Sequence, residues 1–198
     1  MSQLTLTSDP LGSATTGTFE FENPAFFMTG ATSQRGAVLV DQYTVLQATN
    51  TLTSTTAAQA LFDVTGSGQV TLVAGTYEFE CQFSLSSMSA TSGSFGFALG
   101  GGATFTQYWW SLANKATLAT AANGQVTYNT AANTTIATAS TATVAFARIH
   151  GVVIVTVGGT LIPQVSLGVA AAAVVGIGSF FKIRALGSSA ATTSGNWS

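Results

Sequence analysis

The stretch "GTYEFECQFSLSS", residues 75–87, alternates without a fault. Tyr77, Phe79, Cys81, Phe83 and Leu85 fall on one side; Glu78, Glu80, Gln82, Ser84 and Ser86 fall on the other. Successive side chains of an extended chain point to opposite faces, so a sustained period of two predicts a half-buried β-strand. The same stretch holds the chain's only cysteine and two of its seven acidic residues. It is either the edge of an active site or the wall of a closed β structure.

The flanking sequence repeats the pattern in shorter pieces. "TFEFE" (18–22), "PAFFMTG" (24–30), "GAVLVDQYTVLQ" (36–47) and "QVTLV" (69–73) precede it. "SFGFALGGG" (94–102) and the aromatic "TFTQYWWSL" (104–112) follow, and Asn123-Gly124 is a strong hairpin signal. "ARIHGVVIVTV" (147–157) is apolar on both faces near its end, as a central strand is. Gly158-Gly159 turns it into "TLIPQVSL" (160–167); "VAAAAVVGIG" (169–178) reads as a short helix or a packed loop, and "SFFKIRAL" (179–186) as the last strand. About ten short strands spaced by Gly and Asn turns, with no helical period, predict an all-β antiparallel sandwich or jelly roll. The expected organisation is a polar arm over 1–16 and a single domain over 17–198.

The 198 residues suffice for one β domain, and at 46% apolar they can bury a core. Charged residues are only 6%, against roughly 25% in an ordinary soluble domain. A surface so poor in charge is expected to be covered, most simply by copies of the same chain. The net charge of −2 draws in neither nucleic acid nor anionic membrane. Its distribution says more: residues 1–80 hold all seven acids and Arg35, while 81–198 hold Lys115, Arg148, Lys182 and Arg184. Halves of opposite sign suit mutual pairing, within a chain or between neighbours. The start lacks the basic and apolar regions of a signal peptide. The apolar segment 151–181 is cut by Gly158-Gly159, Pro163-Gln164 and Ser166 into pieces too short for a spanning helix, and reads as two buried strands and a loop.

Catalytic constellations are sparse. One cysteine excludes an internal disulfide and a multi-cysteine zinc site, and Cys81 lies on the apolar side, a buried small hydrophobe. The only histidine, His150, sits on a strand that reads as central, a core or interface residue rather than a member of a triad. Glu78 and Glu80, and likewise Glu20 and Glu22, have the spacing of glycosidase carboxylates, but any exposed strand face offers it. Calcium would need clustered Asp/Asn loop ligands that the sequence lacks. No cofactor or metal is expected, and no enzyme. Tyr108, Trp109 and Trp110 are the candidate surface contacts: neighbouring strand residues point oppositely, so one ring is core or interface and another can stack on a sugar or a subunit.

Taken in order, "GTFEFENPAFF" (17–27) with Arg35-Gly36, "AGTYEFECQFSLS" (74–86), "FGFALGG" (95–101), "GGTLIPQ" (158–164), "GSFFKI" (178–183) and "SGNWS" (194–198) span nearly the whole chain. In that order and spacing they resemble a domain family of virion structural proteins of tailed bacteriophages, often found at the C-terminal end of tail-fibre chains. The resemblance implies a jelly roll similar to tumour necrosis factor-like domains, assembled as a homotrimer, with no catalytic residue to carry over. In that picture Ile149, Val153, Val155 and Val157, with Phe181 and Ile183 of the last strand, line the three-fold axis. Glu78 and Glu80 face outward, available to basic residues of a neighbouring subunit. The short stretch before the first motif leaves no room for a fibre shaft. The expectation is therefore a capsid decoration or cement protein, made in the host cytoplasm and resident on the virion, bound to itself and to the major capsid protein or other virion proteins. The alternative is the receptor-binding tip of a tail or head fibre, contacting a host surface glycan.

Overall fold

The computed structural model describes residues 19–22, 25–29, 35–38, 41–62, 68–91, 93–115, 125–129, 134–136 and 143–187. Every regular element among them is a strand, and every pairing is antiparallel. Strands β1 (Phe19–Glu22), β2 (Ala25–Thr29) and β3 (Arg35–Val38) form a small sheet of their own. The chain then runs through β4 (Asp41–Val45), β5 (Asn50–Thr51), β6 (Gln59–Ala60), β7 (Val70–Leu72), β8 (Gly75–Ser86), β9 (Phe95–Gly100) and β10 (Thr104–Lys115). It finishes with β11 (Gln125–Asn129), β12 (Thr134–Ile136), β13 (Ala145–Val157), β14 (Gly159–Leu167), β15 (Val174–Val175) and β16 (Phe180–Gly187). The run 36–47, expected as one strand, is split: β3 pairs with β2 and β4 with β16, so a run rich in β-formers hides a change of sheet. The segment 169–178 is a packed loop carrying β15, not a helix, with Ala173 and Val175 fully buried.

Two larger sheets make the body. The large one runs β11–β10–β13–β8, then β15 and β16 side by side along β8, then β5 and β4 outside them. The small one runs β12–β9–β14, with β6 and β7 sharing the far side of β14. Pro163 sits in β14 between two strands, where a proline removes a ladder donor. Its carbonyl accepts from Leu61 N at 2.9 Å on the β6 side, and its missing N–H points the same way. That is where the chain leaves β6 at Ala60, returning in β7 at Val70, so the missing donor falls in the break.

Strand β8 is one wall of the sandwich. From Gly75 to Ser86 buried and half-buried positions alternate, and Phe79, Cys81 and Phe83 are at most 1% exposed. Phe79 stacks on Phe97 of the small sheet at 6.3 Å between ring centroids, and Phe83 meets Phe95 edge-on at 5.6 Å. These cross-sheet aromatic pairs, with Leu99, Leu161 and Val165 from one side and Ile149, Val153 and Val155 from the other, are one continuous core.

The chain crosses between sheets three times at one corner: Leu72 to Gly75, Gly100 to Thr104, and Val157 to Gly159. The crossings touch backbone to backbone. A Cβ on Gly158 would lie 2.8 Å from Leu72 O, and one on Gly159 would lie 2.7 Å from the backbone of Gly102 and Ala103. Gly101 has φ +108°, and a Cβ there would strike Thr160 O. That same oxygen accepts from Ala103 N (2.9 Å), while Thr160 Oγ1 accepts from Gly102 N (2.9 Å). Tyr77, 6% exposed, reaches back from β8 to donate its hydroxyl to Val73 O at 2.9 Å. Burial raises the Tyr77 phenol above its ordinary value.

Two glycines separate conformation from contact. Gly101→Ala is expected to cost about 2–3 kcal/mol, since positive φ and a backbone clash combine. Gly178→Ala, at φ +82° but with open space around the new Cβ, should cost only about 1 kcal/mol. Val153→Asp buries an unpaired carboxylate at a fully enclosed site and should cost several kcal/mol, yielding insoluble protein. Urea melts of the first two and soluble yield of the third are the checks.

Candidate functional site

The chemistry-bearing side chains converge on the outward face of the large sheet. β8 turns Glu78 and Glu80 outward because Phe79 and Cys81 turn inward. Register then does the pairing: Lys182 lies opposite Glu80, Arg184 opposite Glu78, and Asp41 opposite Arg184. On the other flank His150 lies opposite Glu80 and Arg148 opposite Gln82, so their side chains reach diagonally.

The result is a ladder across four strands. Arg148 grips Glu80 Oε1 through Nε (2.9 Å) and a terminal nitrogen (2.8 Å), and Lys182 Nζ lies 3.2 Å from Glu80 Oε2. His150 Nε2 and Glu78 Oε1 share a 2.7 Å hydrogen bond. Arg184 Nε, buried from solvent, lies 3.0 Å from Asp41 Oδ1 and 3.5 Å from Glu78 Oε2. The angles miss those of an aligned hydrogen bond, so Arg184 is held as an ion pair. Half of the chain's charged side chains, with its only histidine, stand in this one cluster. The opposite-sign halves of the sequence thus pair within the chain. The bases expected from a neighbour's side of Glu78 and Glu80 are supplied by β13 and β16.

Glu80 is the centre of the ladder, with a side chain only 14% exposed. That burial alone would raise its carboxyl; the hydrogen bonds and charges of Lys182 and Arg148 outweigh it and hold the group below its ordinary value. A carboxylate so held stays ionised and is ill-suited to donate a proton. Among the described residues no group of three or more His, Cys, Asp or Glu gathers for a metal ion. Cys81 is fully buried; burial, with the Glu80 charge beside it, pushes its thiol well above the ordinary range.

The other expected site residues fall elsewhere. Ile149, Val153, Val155, Phe181 and Ile183 are at most 2% exposed inside the chain's own core, so they have no surface left to line a three-fold axis. The sandwich took the face of β13 and β16 that holds these side chains, and the other face carries Arg148, His150, Lys182 and Arg184. Val157 alone of that set is open, at 60%. Tyr108, Trp109 and Trp110 lie on β10 in register with Val153, Val152 and Gly151, and their side chains lie outside the described residues, as do Asn123-Gly124 and the side chains of Glu20 and Glu22. No helix among the described residues is long and apolar enough to cross a membrane. The chain matches no model of a known protein family and no curated protein.

Glu80→Gln is expected to lower stability at neutral pH by about 1 kcal/mol. The folded-state value of Glu80 is depressed, so its contribution is complete above the ordinary 4.5 and is lost as pH falls through the lower folded value. The gap between wild type and variant in denaturant melts should therefore close with acidification; a gap that widens would contradict the ladder. The Cys81 thiol should resist alkylating reagents until the chain unfolds.

Proposed function

We propose that this chain is a structural subunit of a tailed-phage virion, a jelly-roll protomer that assembles as a homotrimer and decorates or cements the capsid. The observation that carries the reading is the strand order. Treating β4/β5, β6/β7 and β15/β16 as three interrupted strands, one sheet runs β4/β5, β15/β16, β8, β13 and the other β6/β7, β14, β9, β12. Successive strands alternate between sheets except for the β9–β12 pair, the order of a jelly roll, with the β10–β11 hairpin added at one edge. Four of the sequence motifs that resemble phage virion domains, 74–86, 95–101, 158–164 and 178–183, run through these same strands.

The trimer contact belongs on the outward side of the same strands. Val152, Ile154 and Leu186 are half-buried there, and Val73 and Val157 stand 57% and 60% exposed beside the glycine corner. Covering this patch removes apolar surface from water while leaving the paired ladder its own counter-charges.

Particle analysis tests the location: the protein should occur in a simple ratio to the major capsid protein, and a few copies confined to a tail tip would overturn the reading. Light scattering tests the assembly, since a folded 20.1 kDa monomer at nanomolar concentration contradicts it. Ile154→Asp should give soluble, folded monomer, in contrast to the insoluble Val153→Asp one residue away.

A further inference from the structure

At the end of the large sheet away from the glycine corner, the outward face is walled. The turn between β15 and β16 rises over β8 and is pinned to it. Gly176 N donates to Ser84 O (3.1 Å), and Ser179 Oγ donates to Gly176 O (2.7 Å) while accepting from Ser84 N (3.4 Å). Beside the pin opens a small pocket of ≈ 70 Å³. Gln82 and Ser84 of β8 form its floor, with Phe146 of β13, half-buried, on one flank and Ile177 of the turn, 66% exposed, on the other. Gly178 stands at its mouth with φ +82° and nothing within 4 Å of where a side chain would begin.

The turn is tied on its other side to Leu46, Gly178 N donating to Leu46 O (3.0 Å) and Ser179 O accepting from Leu46 N (2.9 Å). The Gln82 amide and the Ser84 hydroxyl have no hydrogen-bond partner among the described residues. The pocket therefore offers a carboxamide and a hydroxyl between two apolar flanks, in a half-open volume that suits a small substituent. A carboxamide presents a donor and an acceptor side by side, which a second amide matches with both its groups. A methyl beside that amide would meet Phe146 and Ile177. The acetamido group has this composition and this size.

We infer that the pocket binds the acetamido substituent of an N-acetylated sugar, with the ring outside above Gly178. The surface around the mouth suits sugar hydroxyls: Arg148, 62% exposed, lies in register with Gln82, and His150 and Ser86 are further along the same face. A peptide amide is the competing source of the same chemistry. This site lies apart from the patch assigned to the trimer and stands whether or not the capsid reading does.

Saturation-transfer NMR on the intact protein is the test, with millimolar N-acetylglucosamine, glucose and N-acetylglycinamide as separate probes. The expected result is transfer to N-acetylglucosamine, strongest at the acetyl methyl, and none to glucose. Gln82→Leu should weaken it about fivefold or more, as loss of a paired amide requires. Gly178→Asn, whose side chain tolerates positive φ and would stand in the mouth, should abolish it. Equal transfer to glucose, stronger transfer to N-acetylglycinamide, no transfer at all, or binding unchanged in both variants would each overturn the assignment.

Discussion

Backbone against backbone at the glycine corner is the contact on which the other positions depend. Gly101, Gly158 and Gly159 let three crossings between the sheets stack with no side chain between them. A carbonyl and a hydroxyl of Thr160 then satisfy the amides that the crossings expose. This fixes where β8 and β10 enter the large sheet and β13 leaves it, and where β7 and β9 leave the small sheet and β14 enters it. The aromatic pairs Phe79–Phe97 and Phe83–Phe95 fill a gap whose width that corner has set. Tyr77 ties the same corner to the core through Val73. A core of aromatic rings tolerates little change in sheet separation, so the small residues at the edge and the large ones at the centre are one design.

Charge is handled with the same economy. A chain with so few ionised groups could have scattered them for solubility; here half are gathered on one face and neutralised pairwise. Exposed ion pairs add little stability singly, but Glu80, gripped by two cations and mostly enclosed, belongs to a network. The ladder also fixes register: sliding β16 by one residue would turn Lys182 and Arg184 into the aromatic core and bring Phe181 and Ile183 out to face two glutamates.

Much of this was legible in the sequence, and the exceptions have physical causes. The alternation over 75–87 gave β8 residue by residue, because each position there is plainly polar or plainly apolar. Cys81 followed from the same parity. On β13 the parity is blurred: Val152 and Ile154 are as apolar as Val153 and Val155, so hydropathy alone could not say which set faces the sandwich. The signal was nevertheless present, since Arg148 and His150 share parity with Val152 and Ile154 and mark the outward face. The opposite-sign halves foretold ion pairing but not its partners, which register decides. The break between β3 and β4 could not be read, because nothing in a run of β-formers names the strand it will pair with. The pocket of Gln82, Phe146 and Ile177 draws on segments far apart in sequence, and no local pattern announces it.

The placement of β16 has a consequence for how the molecule is made. β8 meets no strand near it in sequence: Leu85 pairs with Ala145, and Gln82 pairs with Phe180. β16 also inserts between β8 and β4, so the earlier strands cannot close the large sheet until it arrives. During synthesis the most apolar wall of the sandwich must wait, with both edges open, for strands not yet made. Topologies built on such distant pairings fold slowly and stay open to aggregation. The two glutamates and the glutamine that alternate with its aromatics then have an earlier duty, keeping a lone β8 in solution until its neighbours exist.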